Sequence, residues 1–113
     1  MINSSELIDL KFNDKYIPWV EQGRKICITR RSVKGKVGDS FMLNGKRYVI
    51  TGVLSCTLFA LFDLYRLEGY SCAQCFYEDL LKIYPGLRMN DIFHMHFFET
   101  AYDYEMGLIA DEY

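Results

Sequence analysis

The succession of hydrophobic and polar positions along the chain predicts five β-strands, bounded by polar or glycine-containing turns. Lys25–Arg31 alternates polar residues with Ile, which is the period of a strand that buries one face. Arg47–Ser55 is long and rich in β-branched residues, and Gly52 within it predicts a bulge. The dipeptide Asn44-Gly45 predicts a hairpin turn just before this strand. The other predicted strands are Leu7–Phe12, Ser40–Leu43 and Asp91–Glu99.

Helical signals lie in two regions between these strands. Asp14 is placed to cap a short helix over residues 15–22, which ends at Gly23 and holds a proline in its first turn. Residues 57–70 begin with a helical pattern that breaks at Gly69. A Ser is then placed to cap a longer helix, Cys72–Tyr84, which a Pro-Gly pair stops.

Length and composition favour a single domain, residues 1–113, of the α+β class. A chain of 113 residues has room for one core, and its 50% apolar and 16% aromatic content can fill that core. Because strands dominate, we expect a small mixed β-barrel of about five or six strands with two or three flanking helices. The acidic and aromatic tail, residues 100–113, carries no assignment.

The sequence carries no sign of membrane insertion or export. No apolar run approaches the ~20 residues of a membrane-spanning helix, and the N-terminus lacks a basic stretch followed by an apolar one. We therefore expect a cytoplasmic protein with reduced thiols at its four cysteines. The oligomeric state has no signature in the sequence.

The stretch GRKICITRR, Gly23–Arg31, places four cations within nine residues of a chain whose net charge is −2. Residues two apart share one face of a strand. One face then carries Lys25, Cys27, Thr29 and Arg31, and the other carries Ile26, Ile28 and Arg30. With the Ile pair in a core, the polar face would line a groove. The alternative is an amphipathic strand whose Lys and Arg are simply solvated.

The order of these segments resembles the ASCH family of PUA-like barrels, over residues from about Leu7 to Glu99. Four pieces carry the resemblance, in this order and spacing: Gly23-x-Lys25, Val37-Gly38-Asp39, Glu68-Gly69 followed by a helix that a Ser leads, and the terminal aromatic strand. The resemblance implies a protein associated with RNA and with modified nucleosides.

One bacterial branch of that family hydrolyses the acetyl amide of acetylcytidine with a Lys, a Thr and a Glu. The resemblance places Lys25, Thr29 and Glu68 in those roles. In the family the polar residue follows the Lys by three positions and an Arg follows by five, so Thr29 is one position late. Either a one-residue bulge moves Thr29 and Arg31 into the family's places, or the strand is regular, with Ile28 at the third position and Arg30 as the family's Arg.

The resemblance leaves three functions open. The first is the binding of RNA or a modified nucleoside, the second is hydrolysis of an acylated pyrimidine nucleoside or of RNA, and the third is a protein-interaction module like the ASCH segment of transcription coactivators. Ligand contacts are predicted, beside the three residues above, at Arg24, Arg30, Arg31, Trp19, Tyr70 and His96.

A rival site combines the pair Cys72-x-x-Cys75 with His94 and His96 as four zinc ligands. The cysteines lie about twenty residues from the histidines and without zinc-finger framing, and a CxxC at helical spacing equally suits two half-buried small residues. A redox-active dithiol is the other alternative. We expect no bound metal and no cofactor.

Overall fold

The structure, a computed structural model, describes residues 5–110, and its central feature is a curled, four-stranded antiparallel sheet. The mixed, barrel-like class that the sequence predicts is confirmed, with four strands instead of five or six. The last three residues of the predicted tail, 111–113, lie outside the described residues. In the spatial order β1-β4-β3-β2, the strands are β1 (Cys27–Arg30), β4 (Ile92–Thr100), β3 (Lys46–Thr57) and β2 (Ser40–Leu43).

The hairpin of β2 and β3 follows the sequence prediction closely. Leu43 pairs with Lys46, and the two residues between them, Asn44 and Gly45, both have positive φ angles of 51° and 81°. That combination belongs to the tight turn that Asn-Gly favours. The pairing of β3 with β4 shifts between Ile50 and Gly52, so the predicted bulge is confirmed.

The prediction of a strand over Leu7–Phe12 is wrong. Within it only Leu7 forms a bridge, parallel to Ser40 at the start of β2. The buried Asp39 carboxylate accepts hydrogen bonds from the backbone N–H groups of Glu6 and Lys36, both at 2.9 Å. These bonds fix the N-terminal segment to the turn before β2 and hold the pKa of Asp39 below its usual value, although burial opposes the shift.

Four α-helices accompany the sheet within the described residues, and none of them is long and apolar enough to cross a membrane. The tail after β4 forms the last of them. The first is preceded by a 3-10 turn, Asp14–Tyr16, and the second continues into another, Phe62–Leu64. The helices are α1 (Ile17–Glu21), α2 (Leu58–Leu61), α3 (Ala73–Ile83) and α4 (Ala101–Ala110).

Two helix caps differ from the sequence prediction by one residue each. The Asn13 side chain, and not Asp14, accepts the Lys15 N–H at 3.1 Å, because Asp14 already belongs to the 3-10 turn. Cys72, and not Ser71, occupies the N-cap of α3 and accepts the Cys75 N–H at its sulfur, at 3.1 Å.

The two faces of the sheet bury two separate hydrophobic clusters. Ile28 of β1 belongs to the cluster that contains Phe41 and Phe98, whereas Cys27 belongs to the cluster that contains Phe93 and Met95. Since β1 is an edge strand, its other side is open to the segments before α1 and to α3. A site built at β1 therefore has a core against each face of the strand and one edge available to a cavity.

Candidate functional site

A single buried carboxylate, that of Glu68, accepts hydrogen bonds from three side chains of one strand face. The Lys25 ammonium lies 3.0 Å from Oε1, as a buried ion pair. The Cys27 thiol donates to Oε2 at 3.3 Å, and the Thr29 hydroxyl donates to the same oxygen. All four side chains are buried, with Glu68 only 2% exposed.

Strand alternation brings these three donors to one acceptor. Lys25, Cys27 and Thr29 are two residues apart, so a regular strand points all three to the same side. The pairing of β1 with β4 is regular from Cys27 to Arg30, and the Ile26 N–H donates to the Leu67 carbonyl at 3.0 Å. The bulge alternative is therefore wrong, and Thr29 reaches Glu68 from a regular strand.

Gly69 lets the Glu68 loop approach the strand this closely. Its φ angle is +94°, a region that other residues rarely adopt. A Cβ atom here would lie 2.9 Å from the Trp19 ring and 3.2 Å from the Cβ of Lys25. The two residues of the Glu-Gly dipeptide therefore act together. Gly69 lets the loop approach the strand, and this approach brings the Glu68 carboxylate within hydrogen-bonding distance of Lys25.

A cavity of about 240 Å³ opens beside this carboxylate, between the free edge of β1 and α3. Lys25, Thr29 and Glu68 line it, and we call it the Glu68 cavity. Aromatic rings form much of its remaining wall, and they come from the N-terminal segment, from the Glu68 loop and from α3 with its C-cap: Phe12, Tyr16, Tyr70, Phe76 and Tyr84. The site therefore combines flat apolar surfaces with a small polar group.

A hydrogen-bonded chain on the cavity wall escaped the sequence prediction. The Tyr70 hydroxyl donates to Asp79 at 2.8 Å, and the Tyr16 and Tyr70 hydroxyls lie 2.7 Å apart. Burial tends to raise the pKa of Asp79, but hydrogen bonds from Lys15, at 2.6 Å, and from Tyr70 outweigh it and lower the pKa. Asp79 is thus a carboxylate that only accepts, so Tyr70 donates to it, and the Tyr16 hydroxyl donates either to Tyr70 or, at 3.4 Å, to Asp79 itself.

The helical periodicity of the sequence could have indicated that Asp79 is partly buried. Asp79 lies between Phe76 and Leu80 on the buried stripe of α3, where a carboxylate needs a partner. The role of Cys27 was also missed, although alternation put it on the right face. Burial first, and then the charge of Glu68, raise its pKa, so the thiol remains protonated and acts as a donor.

The two arginines at the end of β1 lie in different places. Arg30 is half-buried in the wall of the Glu68 cavity and donates to the carbonyls of Thr29, at 3.0 Å, and Lys11, at 2.8 Å. Burial lowers its pKa. Arg31 points to a neighbouring hollow of about 380 Å³, which it shares with Lys11, Arg30 and Lys34, and pairs with Asp91 at 3.5 Å.

Trp19 and Arg24 do not line the Glu68 cavity. The Arg24 guanidinium stacks 4.1 Å from the Trp19 ring centre and donates to the Gly69 carbonyl at 2.5 Å. Trp19 also packs edge-on against Tyr70, with ring centres 5.0 Å apart. Both side chains therefore support the Glu68 loop from behind. Of the two aromatic contacts that the sequence predicts, Tyr70 is the one in the cavity wall.

His96 is buried in the sheet with both ring nitrogens engaged. Its Nδ1–H donates to the Ile28 carbonyl at 3.1 Å, and its Nε2 accepts the Lys34 N–H at 2.9 Å. Burial lowers its pKa, in keeping with a neutral ring. This side chain is fully covered and presents no free nitrogen to a ligand, which argues against the predicted ligand contact at His96.

The expectation that all four cysteines are reduced is wrong for one pair. Cys72 and Cys75 form a disulfide, because their Cα atoms, one helical turn apart, lie at 5.4 Å. Cys27 and Cys56 are free thiols. His94 contacts the Ser55 hydroxyl at 2.7 Å. In the part of the chain that the structure describes, no three His, Cys, Asp or Glu side chains gather in a group that could hold a metal ion.

Solved structures of other proteins share this fold. The ASCH domain from Lactobacillus crispatus JV V101 matches with a TM-score of 0.64 and 13% identity, over 85% of this chain and 79% of that one. The hypothetical protein PH0355 matches with a TM-score of 0.59 and 13% identity, over 79% and 94%. Protein EF3133 from Enterococcus faecalis V583 matches with a TM-score of 0.60 and 16% identity, over 89% and 78%. No protein-family model and no curated protein matches the sequence.

Proposed function

We propose that this chain, which has the fold of ASCH domains, binds RNA or a modified nucleoside in the Glu68 cavity. The observation that carries the proposal is the meeting of Lys25, Thr29 and Glu68 in one cavity, although more than forty residues separate the first from the last. A solvated amphipathic strand would not bury these groups. The fold supports the same class of ligand, since the sequence resemblance associates ASCH proteins with RNA and modified nucleosides.

The cavity has the size and lining that an unpaired base requires. Its aromatic walls suit stacking on a flat ring, which is how proteins hold splayed-out bases. The Lys25 ammonium donates hydrogen bonds, whereas the Tyr16 oxygen, whose proton goes to Tyr70 or Asp79, accepts them. A pyrimidine edge, which carries both a donor and acceptors, matches these two groups. The cations of the neighbouring hollow are placed to receive a phosphate attached to that base.

A second candidate, hydrolysis of an acylated pyrimidine nucleoside, is favoured by one contact, that of the Thr29 hydroxyl with Glu68. A hydroxyl that donates to a carboxylate is placed to lose its proton and attack a carbonyl carbon. Lys25 is the other group that could serve as the activating base, but the direct partner of Thr29 is Glu68. The geometry therefore favours Glu68 as the base and Lys25 as the neighbouring cation.

The reaction would proceed in two steps. In the first, Glu68 takes the Thr29 proton, the hydroxyl oxygen attacks the amide carbonyl, and the Lys25 ammonium stabilises the negative oxygen that develops. Protonated Glu68 then returns the proton to the leaving amine, so that an acyl ester remains on Thr29. In the second, a water that Glu68 deprotonates cleaves this ester, which releases the acid and restores Thr29.

The test is a side-by-side measurement of binding and turnover with a panel of modified nucleosides that includes N4-acetylcytidine. We expect Lys25→Ala and Glu68→Gln to weaken binding by about 1–3 kcal/mol if the protein only binds, and to abolish turnover if it is a hydrolase. Lys46→Ala, an exposed change on β3 outside the cavity, is the control and should leave both quantities unchanged. Wild-type binding that neither cavity variant alters would place the ligand elsewhere.

A further inference from the structure

We propose that Cys72 and Cys75 form a thiol–disulfide exchange site for low-molecular-weight thiols, and that this exchange regulates the Glu68 cavity. The regulatory part rests on the function proposed above, whereas the exchange itself does not. Four features of the pair carry the proposal: its accessibility, its short loop, its position at the start of α3 and its connection to the cavity wall.

The pair is accessible and does little as a structural crosslink. Cys75 is exposed and Cys72 is half-buried, in contrast to the fully buried free thiol of Cys27. The disulfide joins residues only three positions apart. Because the entropic stabilisation by a disulfide grows with the length of the loop it closes, this bond constrains the unfolded chain very little.

The surroundings of Cys72 favour its thiolate. Cys72 is the N-cap of α3, a helix of eleven residues, and its sulfur accepts the Cys75 N–H at 3.1 Å. A backbone donor and the positive end of the helix dipole both stabilise a negative sulfur. A thiolate that is stabilised in this way is a good leaving group in exchange.

Reduction then follows a balanced sequence. An external thiolate attacks the exposed Cys75 sulfur, the bond between the two cysteines breaks, and its electron pair remains on Cys72 as the capped thiolate. A second external thiolate attacks the mixed disulfide, releases Cys75 and leaves as part of the oxidised external disulfide. One protein disulfide and two external thiols thus become one protein dithiol and one external disulfide, and the reverse path restores the bond.

The bond links two parts of the cavity wall. Tyr70 lies two residues before Cys72, and the helix that begins after Cys72 carries Phe76 and also Asp79, which accepts the Tyr70 hydroxyl. The disulfide fixes the first turn of α3 to the segment that leaves the Glu68 loop. Without the bond, this segment keeps only non-covalent links to α3, namely the N-cap contact, the hydrogen bond from the Phe76 N–H to the Cys72 carbonyl at 3.3 Å and the packing of Tyr70 on Phe76. The tyrosine and its acceptor then have more freedom to separate.

Trp19 provides a readout that needs no ligand. It is the single tryptophan of the chain and contacts Tyr70 with ring centres 5.0 Å apart. The experiment equilibrates the purified protein in buffers of graded reduced and oxidised glutathione, counts free thiols by alkylation and mass measurement, and records tryptophan emission. We expect two thiols to appear in one reversible transition, accompanied by a change in emission, in the wild type and in Cys56→Ser.

The double variant Cys72→Ser/Cys75→Ser should show no such transition. Thiols that appear only after denaturation would overturn the exchange site, and exchange with unchanged tryptophan emission would overturn its link to the cavity. Because wild-type protein alone gives both readouts, the result does not depend on how well the double variant folds.

The regulatory part is tested with N4-acetylcytidine as the probe. We expect at least a threefold difference in its Kd between oxidised and reduced wild type, and no difference for Cys72→Ser/Cys75→Ser. Equal affinities in the two redox states would overturn regulation. If the probe does not bind, the same comparison is made with single-stranded RNA; if neither binds in either redox state, the proposed ligand class and its regulation both fail, whereas the thiol count still decides whether the exchange site exists.

Discussion

At the scale of single residues, the site depends on how many donors one carboxylate can satisfy. Glu68 accepts from Lys25, Cys27 and Thr29, and its burial makes each of these bonds matter more than it would at the surface. The Lys25 ammonium offsets the cost of burying the negative charge of Glu68. The Cys27 thiol and the Thr29 hydroxyl donate to the second carboxylate oxygen, Oε2, and fix its position. Three consequences of this arrangement, and of the buried His96, are testable by substitution.

Thr29→Val removes the hydroxyl and keeps the volume of the side chain. If the protein is a hydrolase, we expect turnover of N4-acetylcytidine to fall at least about a hundredfold, because the nucleophile is lost. Thr29→Ser keeps a hydroxyl in the same place and should retain most of the activity. Steady-state kinetics of the two variants decide the matter, and a fully active Thr29→Val would exclude the threonine as nucleophile.

Lys25→Met leaves the Glu68 carboxylate buried without its cation. We expect the free energy of unfolding to fall by about 3–5 kcal/mol, as for other broken buried ion pairs. The double variant Lys25→Met/Glu68→Gln removes both charges and should lose less than the sum of the two single changes. Urea unfolding measures these values. Lys15→Met, which breaks the more exposed pair with Asp79, is the control and should cost less than about 1 kcal/mol; a larger cost there would contradict this ranking of the pairs.

His96 should make the protein less stable in mild acid. Burial keeps its pKa below the ordinary value of about 6.5, so the unfolded chain takes up a proton that the native ring does not. Unfolding free energy is therefore expected to fall as pH drops below about 6.5, by up to about 1.4 kcal/mol per pH unit. His96→Gln should flatten this slope between pH 6.5 and about 5, whereas His94→Gln should keep it. Equal slopes in all three proteins would contradict the buried neutral ring.

At the scale of secondary structure, the site depends on the close approach of β1 and the loop that carries Glu68. Two segments more than forty residues apart meet because Gly69 has no side chain and a positive φ angle. The loop is further held by the Ile26 bond to Leu67. Comparing a substitution of this glycine with one at another glycine of positive φ separates the free-energy cost of the backbone conformation from the cost of the steric contact.

Gly69→Ala is expected to destabilise the protein by more than about 2 kcal/mol, because it adds a steric clash to the strain of a positive φ angle. Gly86→Ala is the matched control, since Gly86 has a φ angle of +82° but no atom within 4 Å of the added methyl group. We expect only the first change to reduce ligand binding as well. Thermal unfolding and binding assays of both variants would contradict the contact argument if their losses were equal.

The elements that the sequence predicted correctly have strong local causes. The Asn44-Gly45 turn and the Gly52 bulge follow from backbone preferences of those residues, and the meeting of Lys25 with Glu68 followed from the family resemblance. The prediction of a strand over Leu7–Phe12 was wrong because alternation of apolar and polar residues indicates which side chains are buried. It does not indicate whether a neighbouring strand has an edge available for pairing. The part played by Asp79 could not be derived without knowing that α3 turns it towards two tyrosine hydroxyls.

At the scale of the whole molecule, charge is distributed unevenly. The net charge is −2, but Lys11, Arg30, Arg31 and Lys34 surround the hollow beside the Glu68 cavity. Among the described residues, Asp9 lies at the rim of this hollow, and Asp91 pairs with its Arg31 at 3.5 Å. An isolated base would meet the cavity alone, whereas a strand of RNA would also meet these cations. The two ligands should therefore respond differently to salt.

We expect single-stranded RNA to bind weakly and with a slope of log affinity against log salt of about −1 to −3, since each neutralised phosphate contributes about −0.7. Binding of a free nucleoside should hardly change over the same salt series. Lys34→Glu should flatten the slope for RNA, and Lys46→Glu, on the exposed start of β3, should affect it less. Fluorescence titration across a salt series is the measurement, and RNA affinity indifferent to salt would point to a neutral ligand.

The place of β4 in the sheet has a consequence for the time at which the site can form. β1 carries the cysteine and threonine of the site and is made early in synthesis, yet within residues 5–110 it pairs only with β4, which is synthesised after every other strand of the described sheet. Until then, the strand and the Glu68 loop have no common scaffold. A nascent chain therefore cannot assemble the Glu68 cavity until β4 has emerged, and a ribosome that stalls before residue 92 releases a product without this cavity.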